Sequence, residues 1–217
     1  VNIHHHLDEA TILAYAAGTL DEALSVVAAS HIAWCPHCRT AVRQAEALGG
    51  EILTGLEPAN VSDDCRARTL GLLDQATLHR FPAAPKPAHG LPAPLGRLLG
   101  ASSLQDVKWR KKAPGLAMFD IKLSSAARGH VWLMRIGPGK AMPEHGHGGE
   151  EMTMILSGAY RDVFGRFAKG DIADLDEEIE HRPIVEAKEP CICLVATEAP
   201  TRFKSWPARL LQPLIGI

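Results

Sequence analysis

No run of about 18 apolar residues occurs in the 217-residue chain, so the sequence offers no segment long enough to cross a bilayer as a helix. It does not open on a basic stretch followed by an apolar one, and the expectation is therefore a cytoplasmic protein. An excess of charge is missing too: 23 Lys and Arg stand against 25 Asp and Glu, a formal net charge of -2. That balance, with no basic stripe, gives no electrostatic case for nucleic acid or membrane binding. Internal repeats are absent. The length suits one large or two small domains, and either has enough material for a core.

Cysteine is sparse and odd in number: Cys35, Cys38, Cys65, Cys191 and Cys193. In a reducing compartment such a set favours metal binding or redox chemistry over a disulfide framework.

Helical signals open the chain. Asp8 can cap a helix through Ile12, Leu13 and Ala16, with Gly18 as its stop. Asp21 can cap a second, where Leu24, Val27, Ala28, His31 and Cys35 recur at spacings of three and four and share a face. Pro36 suits the first position of a third helix reaching Gly49-Gly50. The residues from Glu51 to Asn60 read as irregular, and Ser62 can cap a fourth helix through Leu70, Leu72, Leu73 and Leu78. Its apolar positions exceed one core stripe, which fits either a partner surface or packing on the other helices.

His31, Cys35 and Cys38 place three metal donors within two helical turns. A structural zinc takes four, so a distant fourth is needed, and His6 at the start of the first helix can supply it; His4 and His5 stand beside it as alternatives. Such a site would pin the first helix to the junction of the second and third and add folding free energy to a small domain. The other reading of C-x-x-C, a thioredoxin-like redox pair, needs a preceding strand in a βαβ pattern, and helices stand there instead. His37 reads as solvent-facing and Cys65 as a small buried side chain.

Residues 81–99 read as a linker, since Phe81 to Gly96 holds Pro82, Pro85, Pro87, Pro92 and Pro94 among alanine and glycine. Such composition disfavours a helix or a central strand and gives a semi-rigid spacer. The expected division is 1–80 helical, 81–99 linker and 100–217 all-β. Beyond the linker, strand-like runs separated by turn residues (Val107–Lys111, Leu116–Leu123, His130–Ile136, Met152–Leu156, Tyr160–Phe164, Ile184–Ala187 and Cys191–Thr197) indicate an antiparallel barrel or sandwich. The basic cluster Lys108 to Lys112 reads as an edge strand guarded by lysine. Cys191 and Cys193 share a strand face, too extended to bridge easily, and would be open to oxidation if that face lines a barrel lumen.

Within the β half, His145, His147 and Glu151 share a parity between glycines and can converge on one side, whereas Glu150 has the wrong parity. His181, after the acidic turn Asp171 to Glu180, is the best placed fourth donor. Three imidazoles and a carboxylate suit Zn, Fe, Mn, Ni or Cu.

The spacing of Gly139, His145, His147, Glu151 and Gly158 resembles the first motif of the cupin superfamily. Ala168-Lys-Gly170 followed by His181 resembles its second, without the usual proline before the glycine. The resemblance implies a cupin barrel over about 100 to 205. With Ala14 to Leu20, His31-x3-Cys35-x2-Cys38, Glu180-His181-x-Pro183 and Cys191 to Leu194, the chain as a whole resembles zinc-binding anti-sigma factors of the ChrR type. The resemblance implies one zinc on His6, His31, Cys35 and Cys38 and a second on His145, His147, Glu151 and His181. It also implies a partner, an alternative sigma factor of the extracytoplasmic-function type, and through it an indirect effect on RNA polymerase. The implied function is a regulator rather than an enzyme: the helical half holds the sigma factor and the cupin half senses singlet oxygen or organic peroxide, with Cys191 and Cys193 as a candidate redox pair. The alternative is a cupin metalloenzyme, a dioxygenase or isomerase, carrying a structural zinc domain.

Overall fold

The computed structural model describes residues 2–75 and 90–204. Helix α1 (Glu9–Ala16) starts where Asp8 accepts the Thr11 amide at 2.7 Å, and α2 (Glu22–Trp34) starts where Asp21 accepts the Ala23 amide at 2.9 Å. Each cap satisfies a donor that the first turn of a helix leaves free. Helix α2 stops at Cys35, which is extended at φ -94°, as the residue before a proline prefers. Pro36 then opens α3 (Pro36–Thr54).

Three expectations are corrected here. Helix α3 runs through Gly49 and Gly50 to Thr54, taking in part of the stretch read as irregular, although each glycine costs about 1 kcal/mol against alanine in a helix interior. The fourth helix, α4 (Cys65–Gln75), begins three residues after Ser62; Cys65 at its start is half-buried rather than buried, and Leu78 lies outside the described residues. The linker is not helix-free: α5 (Ala93–Leu99) forms with Pro94 in its first turn, where a missing N–H costs nothing, and Leu91 and Leu95 are buried. The rest of the proline-rich stretch, through residue 89, lies outside the described residues.

Twelve strands follow among the described residues: β1 (Arg110–Ala113), β2 (Leu116–Ile121), β3 (His130–Ile136), β4 (His145–Gly146), β5 (Glu151–Ser157), β6 (Ala159–Asp162), β7 (Gly165–Ala168), β8 (Ile172–Leu175), β9 (Glu180–His181), β10 (Ile184–Val185), β11 (Cys191–Thr197) and β12 (Arg202–Phe203). They form a six-stranded sheet in the order β1-β2-β3-β11-β5-β8 and two three-stranded sheets, β10-β6-β7 and β12-β4-β9. Every pairing of named strands is antiparallel. The architecture is the expected α+β one with a cupin-like antiparallel half, but the hydrogen-bonded ladder is split into three sheets and does not close as a barrel. β1 is an edge strand with Arg110 and Lys111 exposed, as its basic residues indicated.

The two-residue period of the central strands decides what meets what. Val131 and Leu133 of β3, Met152, Met154 and Leu156 of β5, and Leu194 and Ala196 of β11 join Ala23, Leu24, Val27 and Ala28 of α2 in one core. The alternate residues, Trp132, Met134, Glu151, Thr153, Cys193, Val195 and Thr197, line a cavity on the other face. Helix α2 therefore roofs the sheet, and burying Leu24 alone contributes about 2 kcal/mol. Gly129 permits the approach: a Cβ there would sit 2.6 Å from the Thr197 carbonyl oxygen and 2.9 Å from the Ala23 Cβ. Asp21, the cap of α2, also accepts the Arg128 and Gly129 amides at 3.1 and 3.3 Å.

Candidate metal centres

Three residues of the first cluster, His145, Glu151 and His181, line the cavity. β4 and β9 pair so that His145 faces His181, while β5 brings up Glu151 after a turn at Gly148 and Gly149. His145, His147, Glu151 and His181 are all buried, and their donor atoms lie within 4.8 Å of one another. The donors converge, but not by alternation along one extended segment: the run is the two-residue β4, a bend at Gly148 and Gly149, and the first residue of β5.

Each imidazole is oriented from behind. His145 Nδ1 meets the Pro143 carbonyl at 2.8 Å, His147 Nδ1 the Asp176 carbonyl at 3.2 Å, and His181 Nδ1 the Asp162 carboxylate at 3.1 Å. With the Nδ1 proton donated outward, every Nε2 lone pair points in, the outer-shell pattern of metal-ligating histidines. His145 Nε2 and His181 Nε2 are 3.1 Å apart, against about 3.3 Å for two nitrogens on one tetrahedral zinc. His147 Nε2 is buried and has no hydrogen-bond partner among the described residues, since Glu151 Oε2 is 3.6 Å away. A buried orphan acceptor is costly without a ligand. The donor set fits a divalent metal, which would act as a Lewis acid or a structural tie.

The cavity behind this cluster, about 50 Å³, is walled mostly by Trp132, Met134, Met142, Val195 and Phe203. The Tyr160 hydroxyl is buried there without a hydrogen-bond partner among the described residues. Cys193 faces it beside the metal donors. The hydrogen bond with Cys191 and burial push the Cys193 thiol well above its ordinary range, so it is a poor nucleophile in this state.

The second cluster joins His6, His31, Cys35 and Cys38, with donor atoms again within 4.8 Å of one another. Cys35 Sγ is 3.3 Å from His6 Nδ1, and Cys38 Sγ is 3.3 Å from His31 Nε2. A thiolate and an imidazole on one tetrahedral zinc stand about 3.5 Å apart, so this set also fits. His31 and both cysteines are buried. Burial lowers the His31 pKa to about 4 and raises that of Cys38 to about 12. His31 is therefore neutral and ready to ligate, while Cys38 must lose its proton to the metal. Of the neighbouring histidines, His37 is exposed, with its ring 4.5 Å from that of His6. His5 stacks on Phe167 at 4.0 Å, and its Nε2 meets the Arg166 carbonyl. His6 is thus the histidine of the three that the fold turns toward the cysteines.

Over its whole length the chain is 39% identical to the Anti-sigma-E factor ChrR of Cereibacter sphaeroides, covering 100% of both sequences. It belongs to the ChrR family. Residues 101–200 match the family described as the ChrR Cupin-like domain. Among solved structures, the crystal structure of Rhodobacter sphaeroides SigE in complex with the anti-sigma ChrR matches with a TM-score of 0.75 and 37% identity, over 90% of this chain and 99% of that one. The ChrR-type resemblance, read from the motifs, is thereby shown for the full length. No helix among the described residues is long and apolar enough to cross a membrane.

All eight expected donors are brought into two groups of four. Sequence reasoning missed the residues behind them: Asp162, Gly170 and Asp171. Asp162 and Asp171 stand among other charged residues in the sequence and carry no distinguishing signal, whereas Gly170 acts through its carbonyl and leaves no side-chain trace.

Proposed function

We propose that the chain is an anti-sigma factor whose helical half, within residues 1–80, sequesters an alternative sigma factor of the extracytoplasmic-function type in the cytoplasm. The observation that carries the reading is an uncovered apolar surface on α3 and α4. Leu48, Ile52 and Leu53 of α3, Leu56 just beyond it, and Leu70, Leu72 and Leu73 of α4 are all exposed, between 46% and 68%. Several large aliphatic side chains on neighbouring elements are unusual on a free surface and mark a docking site. Full-length similarity to a protein named as an anti-sigma factor, and to one solved with SigE, supports the choice of partner. Sequestration would then deny RNA polymerase the surfaces of the sigma factor.

Zinc is the metal this reading places on His6, His31, Cys35 and Cys38, because two thiolates and two imidazoles form a closed tetrahedral set. It would fasten the segment before α1 to the junction of α2 and α3, so that the exposed face is presented on a fixed frame. The set of His145, His147, Glu151 and His181 would hold the second zinc. The cupin-like half, within residues 100–217, would be the sensor: singlet oxygen or an organic peroxide reaching the cavity would alter the metal, its ligands, or the Cys191 and Cys193 thiols, and weaken the grip on the sigma factor. The chain is thus a regulator, with a cupin-like scaffold used for sensing. Co-elution of the zinc-loaded chain with the sigma factor on gel filtration tests the first step, and its loss in Cys35→Ser is expected. A metal-free Cys35→Ser protein that still co-elutes would overturn the structural role of that zinc.

A further inference from the structure

We propose that the loop between β7 and β8, residues 169–171, is the outer shell of the N-terminal metal centre, with Gly170 and Asp171 as its positioning residues. The cupin-like half thereby completes the metal site of the helical half. The inference rests on the reading that His6, His31, Cys35 and Cys38 hold a metal.

The loop meets the metal-bearing segments at three places. Gly170 offers its carbonyl oxygen to His31 Nδ1 at 3.0 Å, in a buried contact that leaves Nε2 aimed at Cys38 Sγ. This is the bond that fixes the tautomer and ring plane of a ligand imidazole. Lys169 Nζ lies 5.2 Å from the ring centre of Trp34, the residue before Cys35. Asp171 Oδ1 accepts the His4 amide at 2.7 Å and the His5 amide at 3.1 Å, and these are the two residues that precede His6. The segment from Asn2 to Asp8 has neither helix nor strand structure. No ladder therefore sets the position of His6, and the carboxylate of Asp171, 1% exposed, sets it instead.

The loop is itself rigidly held. The Gly170 amide donates to the Ile155 carbonyl and the Ile155 amide to the Asp171 carbonyl, both at 2.9 Å. Asp171 Oδ2 accepts the Ala168 amide at 2.8 Å. Gly170 has φ +97°, a conformation that a side chain would strain. A buried carboxylate is expensive unless its acceptor sites are filled. Here Oδ2 is filled from within the cupin-like half, and Oδ1 by the backbone that carries a metal ligand.

The test uses the full chain and the metal alone. Only the N-terminal centre has thiolate ligands, so in the cobalt-loaded protein the sulfur-to-cobalt charge-transfer band reports that centre and leaves the cupin site silent. Asp171→Ala should weaken or shift the band and speed transfer of the N-terminal zinc to a chromophoric chelator by about 10- to 100-fold. Asp171→Asn keeps Oδ1 for the His4 and His5 amides and should fall between the two, with faster transfer than the unaltered chain. An unchanged band and unchanged transfer in Asp171→Ala, even with a lower Tm, would make Asp171 a fold contact only and overturn the proposal. If Asp171→Ala does not fold, the same null result in Asp171→Asn overturns it. Absence of the band from the unaltered chain would instead sink the ligand reading, and the proposal with it.

Discussion

Replacing Asp21 with alanine strikes the point where α2 is both started and fastened to the sheet. Its carboxylate caps α2 through the Ala23 amide and accepts the amides of Arg128 and Gly129. Loss of an N-cap costs about 1 kcal/mol, and each buried amide left without an acceptor about 1–3 kcal/mol. Relaxation of the loop at Arg128 recovers part of this, so a net loss of about 3 kcal/mol is expected, which lowers Tm by roughly 6–12 °C in a chain of this size. The variant Asp21→Asn keeps one oxygen and should lose about half as much. Burial alone would raise the Asp21 pKa, but the Ala23, Arg128 and Gly129 amides and the Arg128 side chain bring it below the ordinary carboxylate value. Because the folded-state pKa is depressed, the charged form contributes stability above the unfolded value of about 3.9. That contribution fades as pH falls through the folded value. Differential scanning calorimetry should show a constant gap between the unaltered chain and Asp21→Asn from about pH 5 to pH 8, narrowing below about pH 4. A Tm for Asp21→Ala within 1–2 °C of the unaltered chain, about 0.5 kcal/mol, would refute the claim that this carboxylate docks α2.

Other consequences follow from single contacts. Asp162→Ala removes the carboxylate behind His181 and should lower metal affinity at the cupin-like site by about 10- to 100-fold, read by chelator competition, while the thiolate-bearing site is unaffected. Gly158→Ala should lose about 3 kcal/mol or more, read as lost soluble yield or a lower Tm: φ is +74°, and a Cβ would stand 2.4 Å from the Pro190 carbonyl oxygen. Leu72→Asp and Leu73→Asp, at positions 65% and 67% exposed, should move stability by no more than about 0.5 kcal/mol in thermal melts. The same substitutions should weaken sigma-factor binding by at least about tenfold, measured by titration calorimetry.

Local chemistry made much of this fold legible. Asp8, Asp21 and Pro36 each mark a helix start because a capping oxygen or a missing N–H acts within one turn. The cysteines and histidines carry their spacing openly, and three members of each group follow from it; His6, among His4, His5 and His6, follows only from the family resemblance, and His181 is the best placed fourth donor of the other group. Residues judged by composition fared worse. Gly49-Gly50 suggests the end of a helix, yet α3 continues through both, and Pro92-Ala93-Pro94 suggests a spacer, yet a first turn tolerates proline. The two-residue strands β4, β9, β10 and β12 are too short to show a period, and the pairing of β4 with β9 is what brings His145 to His181. Nothing in the residue type of Gly170 announces a carbonyl held against His31, since that contact depends on α2 settling over β3, β5 and β11. How the two halves meet was therefore out of reach, although the contents of each half were not.

Run-off transcription with RNA polymerase and the cognate sigma factor tests the central claim most directly. Zinc-loaded chain added in equimolar amount should suppress transcripts that depend on this sigma factor and leave those of the housekeeping factor untouched. Undiminished transcription in the presence of intact, zinc-replete protein would contradict the account.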